Sequence, residues 1–312
     1  MMQEMVLSER VLYYGDEQLY WNCQTSLLSE ASISREEPMW TIASLLRAMS
    51  NEPAAISPTQ LWSVWYRLVE EYTTKILSYH ADRLPAFETI ARAFTTNDDK
   101  YLAGLWKRDL HRALLWVGRS PVDFENTGQY IAPSWSWASF QGPIRYELAE
   151  GIRLPLNKSS AIILDIGVST KQGLGFPRVV SGYLTLKALS LKIRSDHKIA
   201  SCSYIFDTKA AEDSWEAGQS YIGVLIARWS LGWTDVGSHW VGLILAEELG
   251  GIEPEPESND LPGTSFENEI PSPTSDAFDS AAVRKYKRVG LLNGPTYSED
   301  MFGWEVRKFT II

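Results

Sequence analysis

The chain has 312 residues, 45% of them apolar and 12% aromatic, with 13 tryptophans and a formal charge of −10. That length holds two domains or one elaborated domain, and the apolar share is ample for a core. Between Gly250 and Ser280 lie eight carboxylates and no Lys or Arg, so the rest of the chain is close to neutral and lacks the basic footprint of a nucleic-acid binder.

Taken in chain order, Val6-Leu7, Val11 to Tyr14, a Gly15-Asp16 turn and Leu19 to Trp21 predict a strand hairpin. A polar stretch, Ser26 to Glu37, follows. Ser57-Pro58-Thr59-Gln60 carries the chemistry of a helix start: a capping hydroxyl, a glutamine that reaches back, and a proline whose missing N–H costs nothing. Leu61, Trp62, Trp65, Leu68, Val69, Tyr72 and Ile76 then form a 3.6-residue stripe. A second helix is predicted over Leu84 to Phe94 and a third over Leu102 to Val117, giving a small packed bundle.

From Pro133 the period becomes two, and Trp135-Ser-Trp137 reads as a strand with both indoles on one face. Further strands are expected over Ala161 to Val168, Tyr183 to Ile193, Ser203 to Phe206, Tyr221 to Trp229, Trp240 to Ala246, Val283 to Leu292 and Gly303 to Ile312. Within Tyr183 to Ile193 the apolar phase slips from even to odd positions, which predicts a β-bulge or strand break near Ala188. Five prolines, the eight carboxylates and few apolar residues make 250–280 an expected disordered insertion. The fold class is thus α+β: an N-terminal hairpin and small helical bundle, then a mainly antiparallel β-domain. The boundaries are drawn at 1–24, 25–132 and 133–312.

The first residues also carry a dense pattern: Gln3-Glu4, Ser8-x-Arg10, Tyr14-Gly15 and Gln18-x-x-Trp21-x-Cys23. In order behind it come Glu70-Glu71-Tyr72-Thr73, Asp82-x-Leu84-Pro85-Ala86, Tyr101-x-Ala103-Gly104-Leu105-Trp106, Leu114-x-Trp116, Ala132 to Ser139 around Trp135 and Trp137, and Tyr286-x-Arg288-Val289-Gly290. The first block resembles the closing block of the fungal heterokaryon incompatibility (HET) domain. The later ones are similar to the segment that trails this domain. The family is associated with non-self recognition after hyphal fusion and with programmed cell death. Its core is similar to Toll/interleukin-receptor signalling domains, some of which cleave NAD. The core's own opening and central motifs have no counterpart here, so residues 1–24 read as a remnant and the chain as the truncated back part of a HET protein.

Candidate chemistry is sparse. Glu4 and Arg10 could line a ligand pocket in an intact core, or form a structural pair. Cys23 reads as a packing thiol, because no basic neighbour in sequence would lower its pKa. Two distant cysteines do not make a disulfide scaffold, which favours a reduced, cytoplasmic protein. His80, His111, His197 and His239 are scattered without a second ligand at helical spacing, so no metal is expected. The run Lys107 to Arg112 reads as a solvated face with local Asp–Arg pairing and Arg284 to Arg288 as a solvated charged face, with an anion site or partner contact as the sharper alternatives. No apolar stretch reaches membrane-spanning length, and Glu4, Glu9 and Arg10 break any secretory leader. No residue is assigned a catalytic, cofactor-binding or metal role. The expectation is a non-enzymatic accessory region whose partners are other proteins, intact HET relatives among them, and not nucleic acid, membrane or metal. The alternative is the tail of a NAD-hydrolysing or nucleotide-binding HET enzyme, inactive without its core.

Overall fold

The computed structural model describes residues 8, 10–23, 26–36, 58–77, 79–94, 99–119, 130–146, 160–171, 177–199, 201–230, 238–248, 284–295 and 303–312. The acidic insertion 250–280 lies outside them. The fold is α+β with mainly antiparallel sheets. Among the described residues no helix is long and apolar enough to cross a membrane.

The N-terminal hairpin is present as β1 (Arg10–Tyr14) and β2 (Leu19–Cys23), closed by a Gly15 N–H to Gln18 carbonyl bond of 3.0 Å. The polar stretch behind it extends this sheet. It adds β3 (Ser26–Ser29) and β4 (Ser32–Glu36), making a four-stranded meander. Polar strands form here because backbone pairing and the turn carry them: the Gln18 side chain accepts the Ala31 N–H at 3.0 Å, and Leu28 pairs opposite Trp21. Register puts Leu12, Trp21 and Leu28 in one row, with Tyr14 and Leu19 in the next row on that face. On that face Tyr14 is 81% exposed while Leu19 and Leu28 are half-buried, and no described residue of this sheet belongs to either hydrophobic core.

Two of the three expected helices form. Helix α1 (Pro58–Thr73) buries Trp65, Leu68, Val69 and Tyr72, while Ile76 lies beyond its end and is fully exposed. Helix α2 (Arg83–Phe94) buries Leu84, Phe87, Ile90, Ala91 and Phe94. Trp65 is their hub, with edge-on contacts to Phe87, Phe94, Tyr101 and Trp106 at ring separations of 5.2–5.8 Å.

The third helix is a correction. Residues 101–118 form a two-residue-turn hairpin, β5 (Tyr101–Leu102) and β6 (Leu105–Trp106), then a 3-10 turn, a short α3 (Leu110–Ala113) and β7 (Val117–Gly118). Ala103 and Gly104, at φ 45° and 95°, make the left-handed turn that a continuous helix would exclude. The apolar positions are nonetheless buried: Leu105, Trp106, Leu110, Leu114 and Val117 are each no more than 2% exposed.

Trp135-Ser-Trp137 is likewise not a strand. It enters a 3-10 turn over Trp137–Ser139, where the Ser136 hydroxyl accepts the Ala138 N–H, before β8 (Ile144–Arg145) pairs with β7. Both tryptophans are fully buried all the same.

The β-domain follows the expected strands closely: β9 (Ile162–Lys171), β10 (Arg178–Ile193), β11 (Ser203–Phe206), β12 (Tyr221–Ser230), β13 (Ser238–Glu248), β14 (Lys285–Pro295) and β15 (Glu305–Ile311). An additional helix, α4 (Lys209–Glu216), is capped by the Thr208 hydroxyl, which accepts the Ala211 N–H at 3.2 Å. The hydrogen-bonded path runs β11-β14-β13-β12-β10-β15, with β9 on β10. It closes on itself where Lys285 and Tyr286 of β14 pair in parallel with Thr310 and Ile311 of β15.

The β-bulge or strand break expected near Ala188 is found as a bulge at Thr185/Leu186, on one edge of the strand alone. Strand β10 pairs with β15 without interruption from Leu184 to Ser190, and the register shifts fall on its β9 side, at Val179/Ser181 and Thr185/Leu186. The slipped phase has a further cause, because successive stretches of β10 bury opposite faces. Leu184, Leu186 and Ala188 enter the main core under the helices. Leu189, Leu191 and Ile193 enter a second core with Phe206, Trp215, Trp240 and Trp304.

Candidate functional site

Two sequence blocks far apart in the chain meet at one cleft of 540 Å³. It is lined by Trp116, Tyr130, Ser134, Ser139, Asp207, Thr208, Lys287, Arg288 and Ile312, among others. At its base is Arg288, whose side chain has no solvent exposure. Strand β14 presents Tyr286 and Arg288 to the helical layer, and the block around Trp135 supplies that layer's floor.

The guanidinium spends its capacity inside the protein. Nη1 donates to the Leu114 carbonyl at 3.0 Å, and Nη2 donates to the Trp116 carbonyl at 2.5 Å and to Asp207 Oδ1 at 3.2 Å. Nε lies 3.2 Å from Asp207 Oδ2, an ion-pair contact without hydrogen-bond alignment. The group also lies 3.3 Å over the centre of the Trp116 ring. Burial pushes the Arg288 pKa down and the Asp207 pKa up, and each charge opposes the shift of the other.

The serines of the Ala132 to Ser139 block are equally committed. Ser134 donates its N–H to the Ile312 carbonyl at 3.0 Å and its hydroxyl to the same oxygen, while that hydroxyl accepts the Arg288 N–H at 3.0 Å. Ile312 in turn donates its N–H to the Tyr286 carbonyl at 2.9 Å. Ser136 donates to the Ala103 carbonyl at 2.5 Å, and Ser139 to the Ser136 carbonyl at 2.7 Å. Trp116 Nε1 donates to the Trp135 carbonyl at 3.1 Å, and Trp137 Nε1 to the Gly104 carbonyl at 2.8 Å. One knot thus ties the 3-10 turn, the Ala103-Gly104 turn and the closing strands together.

Of the residues singled out from sequence, Trp135, Trp137, Tyr286, Arg288 and Gly290 belong to this region. Gly290 is required there by close approach, since a Cβ would lie 2.3 Å from the Ile205 carbonyl oxygen. The others are elsewhere. Ser8 is half-buried ahead of β1, Arg10 opens β1 and is exposed, Gly15 is in the turn, Trp21 is 37% exposed on β2, and Cys23 ends β2 opposite Arg10. Gln3 and Glu4 lie outside the described residues, and so does the proposed Glu4–Arg10 pair.

Sequence reading did not single out Asp207, the buried counter-ion. Its signal was weak: one acid between a strand and the capping Thr208. At a second node the local Asp–Arg pairing expected within Lys107 to Arg112 is present, but it is buried. Asp109, 1% exposed, accepts from the Tyr66 hydroxyl and from Arg112 Nε at 2.6 Å. Burial pushes its carboxyl up to about 6 despite Arg112. The run Lys107 to Arg112 is therefore not wholly a solvated face. Glu70 and Glu71 diverge as adjacent helical residues do: Glu70 accepts the Tyr146 N–H at 2.5 Å, while Glu71 pairs with Lys75 at 3.4 Å.

Among the described residues no group of three or more His, Cys, Asp or Glu is placed to hold a metal. No family model, curated protein or solved structure matches this chain.

Proposed function

We propose that the chain is a non-enzymatic accessory or regulatory region of a fungal heterokaryon incompatibility protein, acting through protein contacts in non-self recognition and programmed cell death. The family part of this reading rests on the ordered motifs alone. The observation that carries the non-enzymatic part is how the motif side chains are spent. Arg288, Ser134, Ser136, Ser139 and Trp137 direct their hydrogen bonds to backbone carbonyls, to the buried Asp207 or to one another. A group so committed holds a fold together and has little left for a reacting substrate.

Protein contact is supported by the apolar row of the N-terminal sheet, where Leu12, Tyr14 and Trp21 are 44%, 81% and 37% exposed. Exposed apolar rows of this kind mark association surfaces. Intact HET-domain proteins are the partners this reading implies, and a cytoplasmic setting goes with it.

The test is expression in a fungal host with and without an intact HET-domain protein, combined with an assay of nicotinamide release from NAD by the purified chain. The chain alone is expected to give neither cell death nor turnover, and co-expression is expected to change the frequency of death. Turnover by a clean preparation would make it an enzyme. An unchanged death frequency would remove the incompatibility reading.

A further inference from the structure

Lys187 of β10 and Lys308 of β15 are directly opposite each other in an antiparallel ladder, so both side chains leave the same face of the sheet. Both are exposed, and neither has an ion pair or hydrogen bond among the described residues. Like charges in directly opposed positions cost stability. The cations around them are handled differently. Arg284 pairs with Glu247 at 3.5 Å, Lys287 with Glu248 at 2.5 Å, and Arg307 with Glu305 at 2.5 Å. On the same face Asp165, opposite Thr185, accepts the Tyr183 hydroxyl at 2.8 Å, and Lys285 pairs beside Thr310. The Lys187–Lys308 pair therefore lacks the internal compensation its neighbours have.

Apolar side chains flank this pair. Ile162 of β9 is opposite Lys187 and 60% exposed, and Val306, two residues from Lys308 along β15, is 57% exposed. The face thus sets two uncompensated ammonium groups between two aliphatic side chains. We propose that this face docks an acidic peptide segment of a partner protein, its carboxylates meeting Lys187 and Lys308 and an apolar side chain resting against Ile162 or Val306. Charge complementarity selects the occupant. A nucleic acid would draw on a longer track of cations interleaved with stacking rings, whereas this face offers two lysines and aliphatic neighbours.

The inference rests on the reading of the chain as a contact protein, but its readout is separate from the turnover and cell-death tests. The experiment is fluorescence anisotropy of the full chain with a labelled glutamate-rich peptide carrying one central leucine. Binding that weakens with added salt is expected. Lys187→Glu combined with Lys308→Glu should weaken it roughly tenfold or more. Lys100→Glu combined with Lys107→Glu changes net charge equally at exposed positions in the helical half and should leave it intact. Ile162→Ser combined with Val306→Ser should weaken it without altering the salt dependence. All these positions are exposed, so circular dichroism should report unchanged folding. The proposal is overturned if the wild-type chain does not bind, if the control pair loses as much as the lysine pair, or if an oligonucleotide or phosphatidylserine vesicle binds more tightly than the peptide.

Discussion

Replacing Arg288 with methionine removes the donor that joins the β-domain to the helical layer, and the cost follows from what is left behind. Asp207, only 6% exposed, would remain without its counter-ion, and the Leu114 and Trp116 carbonyls would lose their donors. Breaking a buried pair from one side costs about 3–5 kcal/mol. The carbonyl bonds and the contact with Trp116 overlap with that figure rather than adding to it, so we take ~4 kcal/mol for the single change. With a urea slope of about 3 kcal/mol/M for a chain of this size, the midpoint should fall by about 1.3 M. Asp207→Leu alone should also be costly, because Arg288 would then be buried without an anion. The double variant should recover at least ~2 kcal/mol relative to the sum of the singles, since an apolar replacement of both charges removes the desolvation problem. The assay is urea denaturation followed by tryptophan fluorescence, with the slope checked for each variant. Additive single effects, or an Arg288→Met cost under about 1 kcal/mol, would refute the assignment of Arg288 as the tie between the layers.

Two glycines with nearly the same backbone separate strain from steric clash. Gly104 and Gly218 have φ of 95° and 96°, but an added Cβ at Gly104 would lie 2.5 Å from Trp137 Nε1, whereas at Gly218 it meets nothing within 4 Å. Gly218→Ala should cost about 1–2 kcal/mol and Gly104→Ala clearly more, as read from melting temperatures. Equal losses would mean that the Trp137 contact is soft. Asp109 gives a pH dependence. Its folded pKa, about 6, lies above the ordinary carboxyl value of 3.8, so the folded state holds the proton more tightly. That stabilisation is fully present below about pH 4 and is lost as pH rises through 6, a swing of about 2–3 kcal/mol. Asp109→Asn should flatten this part of the stability profile; an unchanged slope between pH 4 and 6 would assign it to other groups.

Most of the β-domain is legible in the sequence because its strands are bounded by turn chemistry and carry period-two apolar residues. Helices α1 and α2 are legible for the matching reason, an unbroken 3.6-residue stripe such as Trp65, Leu68, Val69 and Tyr72. Residues 102–117 show where periodicity misleads. Leu105, Trp106, Leu110 and Leu114 satisfy a helical stripe, but they also satisfy a compact hairpin and turn, and burial does not choose between them. The decisive element is Ala103-Gly104, whose left-handed turn is stabilised from outside by Trp137. The β-bulge expected near Ala188 falls at Thr185/Leu186, and the rest of the phase slip arises because a pattern read against one core meets two. At the cleft, the Trp135 block and Tyr286 to Gly290 stand out in the sequence, whereas Asp207 does not, because a single acid between a strand and a helix cap looks like many others.

The closure of the β-sheet has a consequence in time. Strand β15 supplies one of the links that turns the open path into a ring, and it bonds to β10, more than a hundred positions earlier in the chain. Until residues 305–311 have left the ribosome, the outer edge of β10 has no partner and Ser134 has no Ile312 carbonyl to meet. The long loop closures this demands slow the final step of folding. During synthesis the nascent chain therefore carries an unpaired strand edge, a feature that recruits holding chaperones. Strand β15 acts as a latch on this ring, and the interval before it pairs leaves β10 exposed to misassembly.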